Sequence, residues 1–185
     1  MSKRHGSTAV EQYKKKGYLP SGLLNFLVML GWSPTGEQEI FTLEELVQEF
    51  SIEHCAKSPA VFDPEKLNWI NAQHVKKLSD EEFYEFALPF IMSNGLLLES
   101  TYERSWLVQV AATARDHVEY GEQIPEHIKL YFQDAVEFEN DEAKQSVTGE
   151  DAKKVLEIFK TKIWQAEELT ADSVKALMKS VAQES

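Results

Sequence analysis

Gly17-Tyr18-Leu19-Pro20-Ser21-Gly22-Leu23-Leu24-Asn25-Phe26-Leu27-Val28-Met29-Leu30-Gly31-Trp32-Ser33-Pro34 is the stretch from which the fold is read. Proline is tolerated in a first helical turn, so Pro20 marks a start. Leu23, Phe26, Leu27 and Leu30 then recur at helical spacing and predict one apolar stripe facing a core. Gly31 is expected to end the helix in a left-handed conformation, with Trp32 and Ser33-Pro34 turning the chain back across it.

Further helices follow on both sides of the next turns. Thr42-Leu43-Glu44-Glu45 is a capping box that predicts a helix to about Phe50. A turn is read at Lys57-Ser58-Pro59-Ala60. Asp63-Pro64-Glu65 is a capped start whose helix is expected to turn Leu67 and Ile70 inward and to show Lys66, Asn71 and His74 to solvent. Trp69 reads as a core anchor. Ser79-Asp80-Glu81-Glu82 is a second capping box, with Phe83, Phe86, Ala87 and Phe90 as its apolar face and Asn94-Gly95 as its end. Tyr102 to Tyr120 fits one long helix, with Leu107, Val110, Ala111, Ala114 and Val118 inward, Arg115 at the solvent edge and Gly121 as the stop. Thr148 is expected to cap a helix that buries Val155, Ile158, Phe159 and Ile163. Leu169 to Asp172 opens the last, striped by Val174, Leu177, Met178 and Val181.

No alternating strand pattern competes with these periods. The fold class expected is therefore all-α, in two consecutive helical subdomains, with residues 1–16 as a connector, 17–95 as the first subdomain and 96–185 as the second. Leu96, Leu97 and Leu98 suggest a packed junction between the two and not a free linker.

Composition narrows the function. The 185 residues carry a net charge of −12 with 43% hydrophobic residues, the balance of an ordinary globular protein. That charge argues against bulk electrostatic attraction to nucleic acid. Its distribution is uneven, however. Residues 1–20 hold Lys3, Arg4, Lys14, Lys15 and Lys16 against Glu11, a local +4, which leaves −16 on the remainder. RNA can still be held through a few cations on one face, together with shape and unstacked bases. A single cysteine, Cys55, excludes an internal disulfide and a cysteine zinc site. The acids Asp134, Glu137, Glu139, Asp141, Glu142, Glu150 and Asp151 lack the spacing of a calcium loop, so no metal is expected. With no apolar run long enough for a membrane and no secretory core after Met1, a cytoplasmic protein is expected.

As spelled strings, two segments carry more than helix physics. Met1-Ser2-Lys3-Arg4-His5-Gly6 runs on into Gly17-Tyr18-Leu19-Pro20, and Ser58-Pro59-Ala60-Val61-Phe62-Asp63-Pro64-Glu65-Lys66-Leu67-Asn68-Trp69-Ile70-Asn71 forms a second block. Both resemble the bacterial glutamyl-tRNA synthetases, class I enzymes that join glutamate to its tRNA. By that resemblance Ser2, Lys3 and Arg4 are the tail of the KMSKS-like loop that follows the phosphates of ATP, and Lys3 is its mobile lysine. Lys66, Asn71 and Arg115 are the implied tRNA contacts, Arg115 toward the anticodon; the competing reading of Arg115 is an ion pair with a neighbouring acid such as Glu119. Where many relatives have tyrosine, this chain has His74.

The resemblance further implies that the intact enzyme uses ATP with Mg to activate glutamate as an adenylate before acyl transfer. No HxGH string, GxGxxG or phosphate loop occurs in these residues. The chain accordingly reads as a cut-out of the C-terminal half, monomeric, binding tRNA without catalysing and with no cofactor of its own; glutamate and ATP would serve only the intact enzyme. The competing reading is a helical protein-interaction module without RNA, which predicts an exposed apolar groove and no clustered cations. A free-standing catalyst would need an acid/base constellation that these residues do not supply.

Overall fold

Three side-chain caps set the helix starts of the first half. In the computed structural model, which describes residues 10–56, 60–96, 102–133, 138, 140–166 and 168–184, all three are made as expected. Thr42 Oγ1 accepts the Glu45 N–H at 3.2 Å and Glu45 returns a carboxylate to the Thr42 N–H at 2.7 Å. Ser79 and Glu82 repeat that exchange. Asp63 Oδ1 accepts the N–H groups of Glu65 and Lys66. Donation from the backbone, which stabilises the ionised form, holds the Glu45 and Glu82 carboxyls below the usual range.

The helices in chain order are α1 (Val10–Lys16), α2 (Pro20–Met29), α3 (Leu43–Glu49), α4 (Pro64–Lys76), α5 (Asp80–Ser93), α6 (Arg104–Ala112), α7 (Ile124–Ile128), α8 (Asp141–Thr148), α9 (Glu150–Gln165) and α10 (Ala171–Glu184). Among the described residues there is no strand, only an isolated bridge between Trp32 and Cys55. The fold is all-α. None of these helices is long and apolar enough to cross a membrane.

Two compact units result, residues 1–133 and 134–185. In the first, α2 packs on α4, and α5 packs on α6 and α7. One core gathers Phe26, Leu67 and Ile70, a second Trp32, Phe41 and Leu46, and the largest spans Val75 to Ile128 through Phe83, Ile91 and Ala111. The turn expected at Asn94-Gly95 is present, with Gly95 at φ +77°. It is a corner inside one core, because α5 and α6 on either side of it bury their apolar faces against each other. In residues 134–185 α9 packs on α10, with Val155, Ile158, Phe159 and Ile163 half-buried and Val181 buried. Met178 is 58% exposed and does not join the stripe.

Four expectations are corrected. Gly31 has no left-handed backbone; α2 closes because the Trp32 N–H reaches the Val28 carbonyl as the Trp32 ring drops into the core. Leu27 is 40% exposed, since the buried stripe of α2 runs through Gly22, Asn25 and Phe26. The helix expected from Tyr102 to Tyr120 stops at Ala112, where the Thr113 hydroxyl takes the Val110 carbonyl and tight turns at Arg115–His117 and Gly121–Gln123 follow. Gly121 thus opens a turn instead of closing a helix, although Ala114 and Val118 are buried as expected. Thr148 ends α8, its hydroxyl bonded back to the Lys144 carbonyl, and Gly149 precedes α9. The Lys57-Ser58-Pro59 turn, Leu97, Leu98, Asp134, Glu137 and Glu139 lie outside the described residues.

His74 yields a pH prediction. Its Nε2 is 3.1 Å from Asn25 Oδ1, which also accepts the Phe41 N–H, so the ring must donate from Nε2. Burial first, and Lys77 second, push its pKa below the usual 6.5. Below that pH the unfolded chain takes up a proton that the folded chain resists, so stability is full above about 6.5 and falls as pH drops toward the folded value. Urea midpoints measured between about pH 7.5 and 5 should decline over this window and flatten in His74→Gln, which keeps a donor for Asn25.

Candidate nucleic-acid interface

Helix α4 positions the candidate residues. Successive helical residues turn by about 100°, so Leu67, Ile70, Asn71, His74 and Val75 share one face. All five are buried, Asn71 fully and His74 with 7% exposed. The expectation that Asn71 and His74 face solvent fails because the stripe includes polar positions that an apolar count omits. Trp69 falls roughly opposite and is 42% exposed, not a core anchor. Lys66 stands beside it, its ammonium 4.5 Å from the Trp69 ring centroid and 2.5 Å from Glu39 Oε1. This outward edge therefore offers a flat aromatic face and one cation already held by a carboxylate.

Asn71 joins two distant parts of the chain. Its Oδ1 accepts the Leu19 N–H at 2.9 Å and its Nδ2 donates to the Glu119 carbonyl at 2.5 Å. Beside it Asn68 Oδ1 accepts the Tyr18 hydroxyl at 2.5 Å, while Asn68 Nδ2 donates to the Glu119 carboxylate at 2.9 Å. The Tyr18 and Tyr120 rings stack at 5.2 Å, and the Gly121 N–H donates to the Gly17 carbonyl at 3.0 Å. Burial, followed by Tyr120 and Glu119, pushes the Tyr18 phenol up to about 12, so it remains a neutral donor. Segments 17–19 and 119–121 thus cross over α4 and are clamped there. The sequence reading did not single out Asn68 or this crossing, and offered Glu119 only as a partner for Arg115; Asn68 and Asn71, three residues apart on one helix, were its visible trace.

Arg115 is equally committed. Its Nη1 donates to the Leu78 carbonyl at 3.0 Å and to Asp80 Oδ1 at 2.5 Å, fastening the corner between α4 and α5. Only 24% of its side chain is exposed, and its buried Nε has no hydrogen-bond partner among the described residues. The expected solvent-edge arginine is therefore a corner clasp, and its carboxylate partner is Asp80 instead of Glu119. Ser2, Lys3 and Arg4 lie outside the described residues.

Free positive charge sits elsewhere. Lys14, Lys15 and Lys16 close α1, are exposed, and make no ion pair with any described residue. Beside them a cleft is lined by Glu11, Lys14, Lys15, Pro89, Phe90, Ser93 and Glu122. A separate apolar groove is lined by Leu24, Val28, Leu43, Leu46, Val47 and Phe50. Among the described residues no three His, Cys, Asp or Glu side chains are grouped to hold a metal.

Two protein-family models match this chain: tRNA synthetases class I (E and Q), catalytic domain, over residues 1–69, and the anticodon binding domain over residues 82–185. Among similar curated proteins, the glutamate–tRNA ligase of Heliobacterium modesticaldum is 46% identical over all of this chain and 38% of its own length. That of Desulforamulus reducens is 44% identical over all of this chain and 39% of its own length. The chain thus spans about two-fifths of these relatives. A crystal structure of a glutamate tRNA ligase from Elizabethkingia meningosepticum in complex with its amino acid shares the fold, with a TM-score of 0.74 at 23% identity over 93% of this chain and 33% of the other.

Proposed function

This chain belongs to the anticodon binding domain family, whose model matches residues 82–185, and from that premise we propose that it is the tRNA-holding part of a glutamate–tRNA ligase, a class I tRNA synthetase of the E and Q type. The carrying observation is the anticodon-binding match, which covers more than half of the chain. The reading assigns residues 17–95 to the inner side of the tRNA, residues 96–185 to the anticodon side, and the tail of the ATP-handling loop to Ser2, Lys3 and Arg4. Glutamate, ATP and Mg belong to the reaction of the longer enzyme, a cytoplasmic and monomeric one.

Within this reading the candidate residues take different roles. Lys66 contacts RNA directly, because its ammonium can exchange Glu39 for a phosphate while Trp69 offers a stacking face. Asn71 is a positioning residue that fixes the crossing beneath that edge. Arg115 acts on the anticodon side, either by swinging its fork from Asp80 to RNA or by holding the α4–α5 corner that supports the reading surface.

The test is a titration with glutamate tRNA, the same tRNA with an altered anticodon, and an unrelated tRNA, each at several salt concentrations. Preference for the first, lost on changing the anticodon, is the expected result; equal weak binding to all three would sink the anticodon assignment. Lys66→Ala should weaken all three together and make the salt slope shallower by about 0.7–0.9. Arg115→Ala must be paired with a melting measurement, since loss of the clasp is expected to cost about 1–3 kcal/mol by itself.

One observation favours a second reading, a helical protein-interaction module. The groove between α2 and α3 is walled by apolar side chains, of which Leu43 is 56% and Val47 73% exposed. Absence of binding to every tRNA would leave that reading in possession of the field.

A further inference from the structure

We infer that the cleft between α1 and α5 is a second RNA seat, in which Lys14 and Lys15 hold backbone phosphates while Pro89 and Phe90 form the wall against which a ribose or base rests. This rests on the tRNA-holding function proposed above and adds to it a contact remote from Lys66, Asn71 and Arg115.

The first support is the state of the cations. Lys66, Arg104, Arg115, Lys129, Lys153, Lys154 and Lys162 each stand within 4.0 Å of a carboxylate, so their charge is already neutralised locally. The three consecutive lysines of α1 have no such partner among the described residues and are exposed. Among the described residues Lys76, Lys77, Lys144, Lys160, Lys175 and Lys179 are also exposed without such a partner, but only α1 sets three such lysines in a row. In a chain of net charge −12 they concentrate available positive charge on one helical turn. Lying at a helix C-terminus, they also complement the helix dipole, but that effect does not require a cleft beside them.

The second support is the cleft itself. Lys14 and Lys15 share its wall with half-buried Phe90 and exposed Pro89, an apolar surface next to free ammonium groups. Cations bordering a half-buried aromatic edge and an exposed proline match a sugar–phosphate chain, whose charged and apolar parts alternate. Glu11 and Glu122 also line the cleft. Their carboxylates oppose a compact polyanion such as a nucleoside triphosphate, which would bring several charges to one point. They can accept a hydrogen bond from a ribose 2′-hydroxyl, a group that RNA has and DNA lacks. The balance favours a chain with one charge per residue.

Rigidity is the third. The Gly17 carbonyl accepts the Gly121 N–H, so the end of α1 is fixed against the turn that carries Glu122, and the Phe90 ring lies over both glycines. The walls of the cleft are thereby pre-set, and little ordering has to accompany binding.

The experiment compares the 185-residue chain with its Lys14→Gln/Lys15→Gln and Lys14→Arg/Lys15→Arg variants in the same three-tRNA titration. Neutralising two phosphate contacts should make the slope of log K against log salt shallower by about 1.5, equally for all three RNAs. The arginine variant should retain the parent slope, and all three proteins should melt together because the side chains are exposed. An unchanged slope in the glutamine variant, with the parent still preferring glutamate tRNA, would overturn this seat and leave the proposed function standing. A slope lost in both variants would also overturn it, since charge would then not be the cause. Failure of the parent to bind any tRNA would overturn the two together.

Discussion

Alanine at Gly17 is expected to cost the first unit about 3 kcal/mol, for two separable reasons. Gly17 has φ +85°, a region that a side chain makes unfavourable by about 1 kcal/mol. A Cβ there would also stand 2.5 Å from the Gly121 Cα and N and 2.6 Å from the Phe90 ring. Backbone cannot rotate aside as a side-chain tip can, so the crossing itself must open, and overpacking of this kind costs about 1–3 kcal/mol. Gly95→Ala separates the two contributions: φ is again positive, at +77°, but no atom of the described residues lies within 4 Å of the added Cβ. It should lose only about 1 kcal/mol. The measurement is the urea midpoint followed by tryptophan fluorescence in a Trp164→Phe background, which leaves Trp32, Trp69 and Trp106, all within residues 1–133, as reporters. Equal losses at Gly17 and Gly95 would show that the close approach to Gly121 contributes nothing.

Asn71→Ala should cost about as much or more, roughly 3–4 kcal/mol, by a different mechanism. Asn71 is fully buried, and its removal deprives the half-buried Leu19 N–H and Glu119 carbonyl of their partner. Each buried backbone group left unsatisfied costs about 1–3 kcal/mol. Asn71→Asp is the informative companion. It retains the acceptor for Leu19 but sets a carboxylate oxygen against the Glu119 carbonyl, where Nδ2 had donated, so it should be no more stable than alanine. If both variants melt with the parent, the clamp over α4 is not what joins segments 17–19 and 119–121.

How much of this was legible before the structure depended on range. Caps are local, and Thr42, Asp63 and Ser79 with their acidic partners were readable because every atom involved lies within three residues. The all-α class followed from apolar periodicity in the same way. Errors cluster where polarity and burial part company. Asn25, Asn71 and His74 occupy the buried faces of α2 and α4, yet a count of apolar residues places them outside. Trp69 shows the converse, a large apolar residue left on the outer edge. Arg115 was singled out as a residue of consequence, but its role as a clasp rests on Leu78 and Asp80, more than thirty positions away. No periodicity encodes such a pairing. The apolar register of Ala114 and Val118 survived the break after Ala112 because a tight turn keeps them on the same side as the helix would have done.

The glycine crossing also sets a timetable for synthesis. Gly17 leaves the ribosome about a hundred residues before Gly121, and at about 5–20 residues per second the gap is on the order of 5–20 s. During that interval α2 can form locally, but the segment that completes its seat over α4 does not yet exist. Closing so long a loop adds an entropic cost that grows only slowly with length, so the delay matters more than the free energy. The N-terminal helices are thus obliged to wait, with apolar surface uncovered, for a short turn made near the end of the unit. A nascent chain arrested before residue 121 should remain sensitive to protease between α1 and α2, and one extended past it should not.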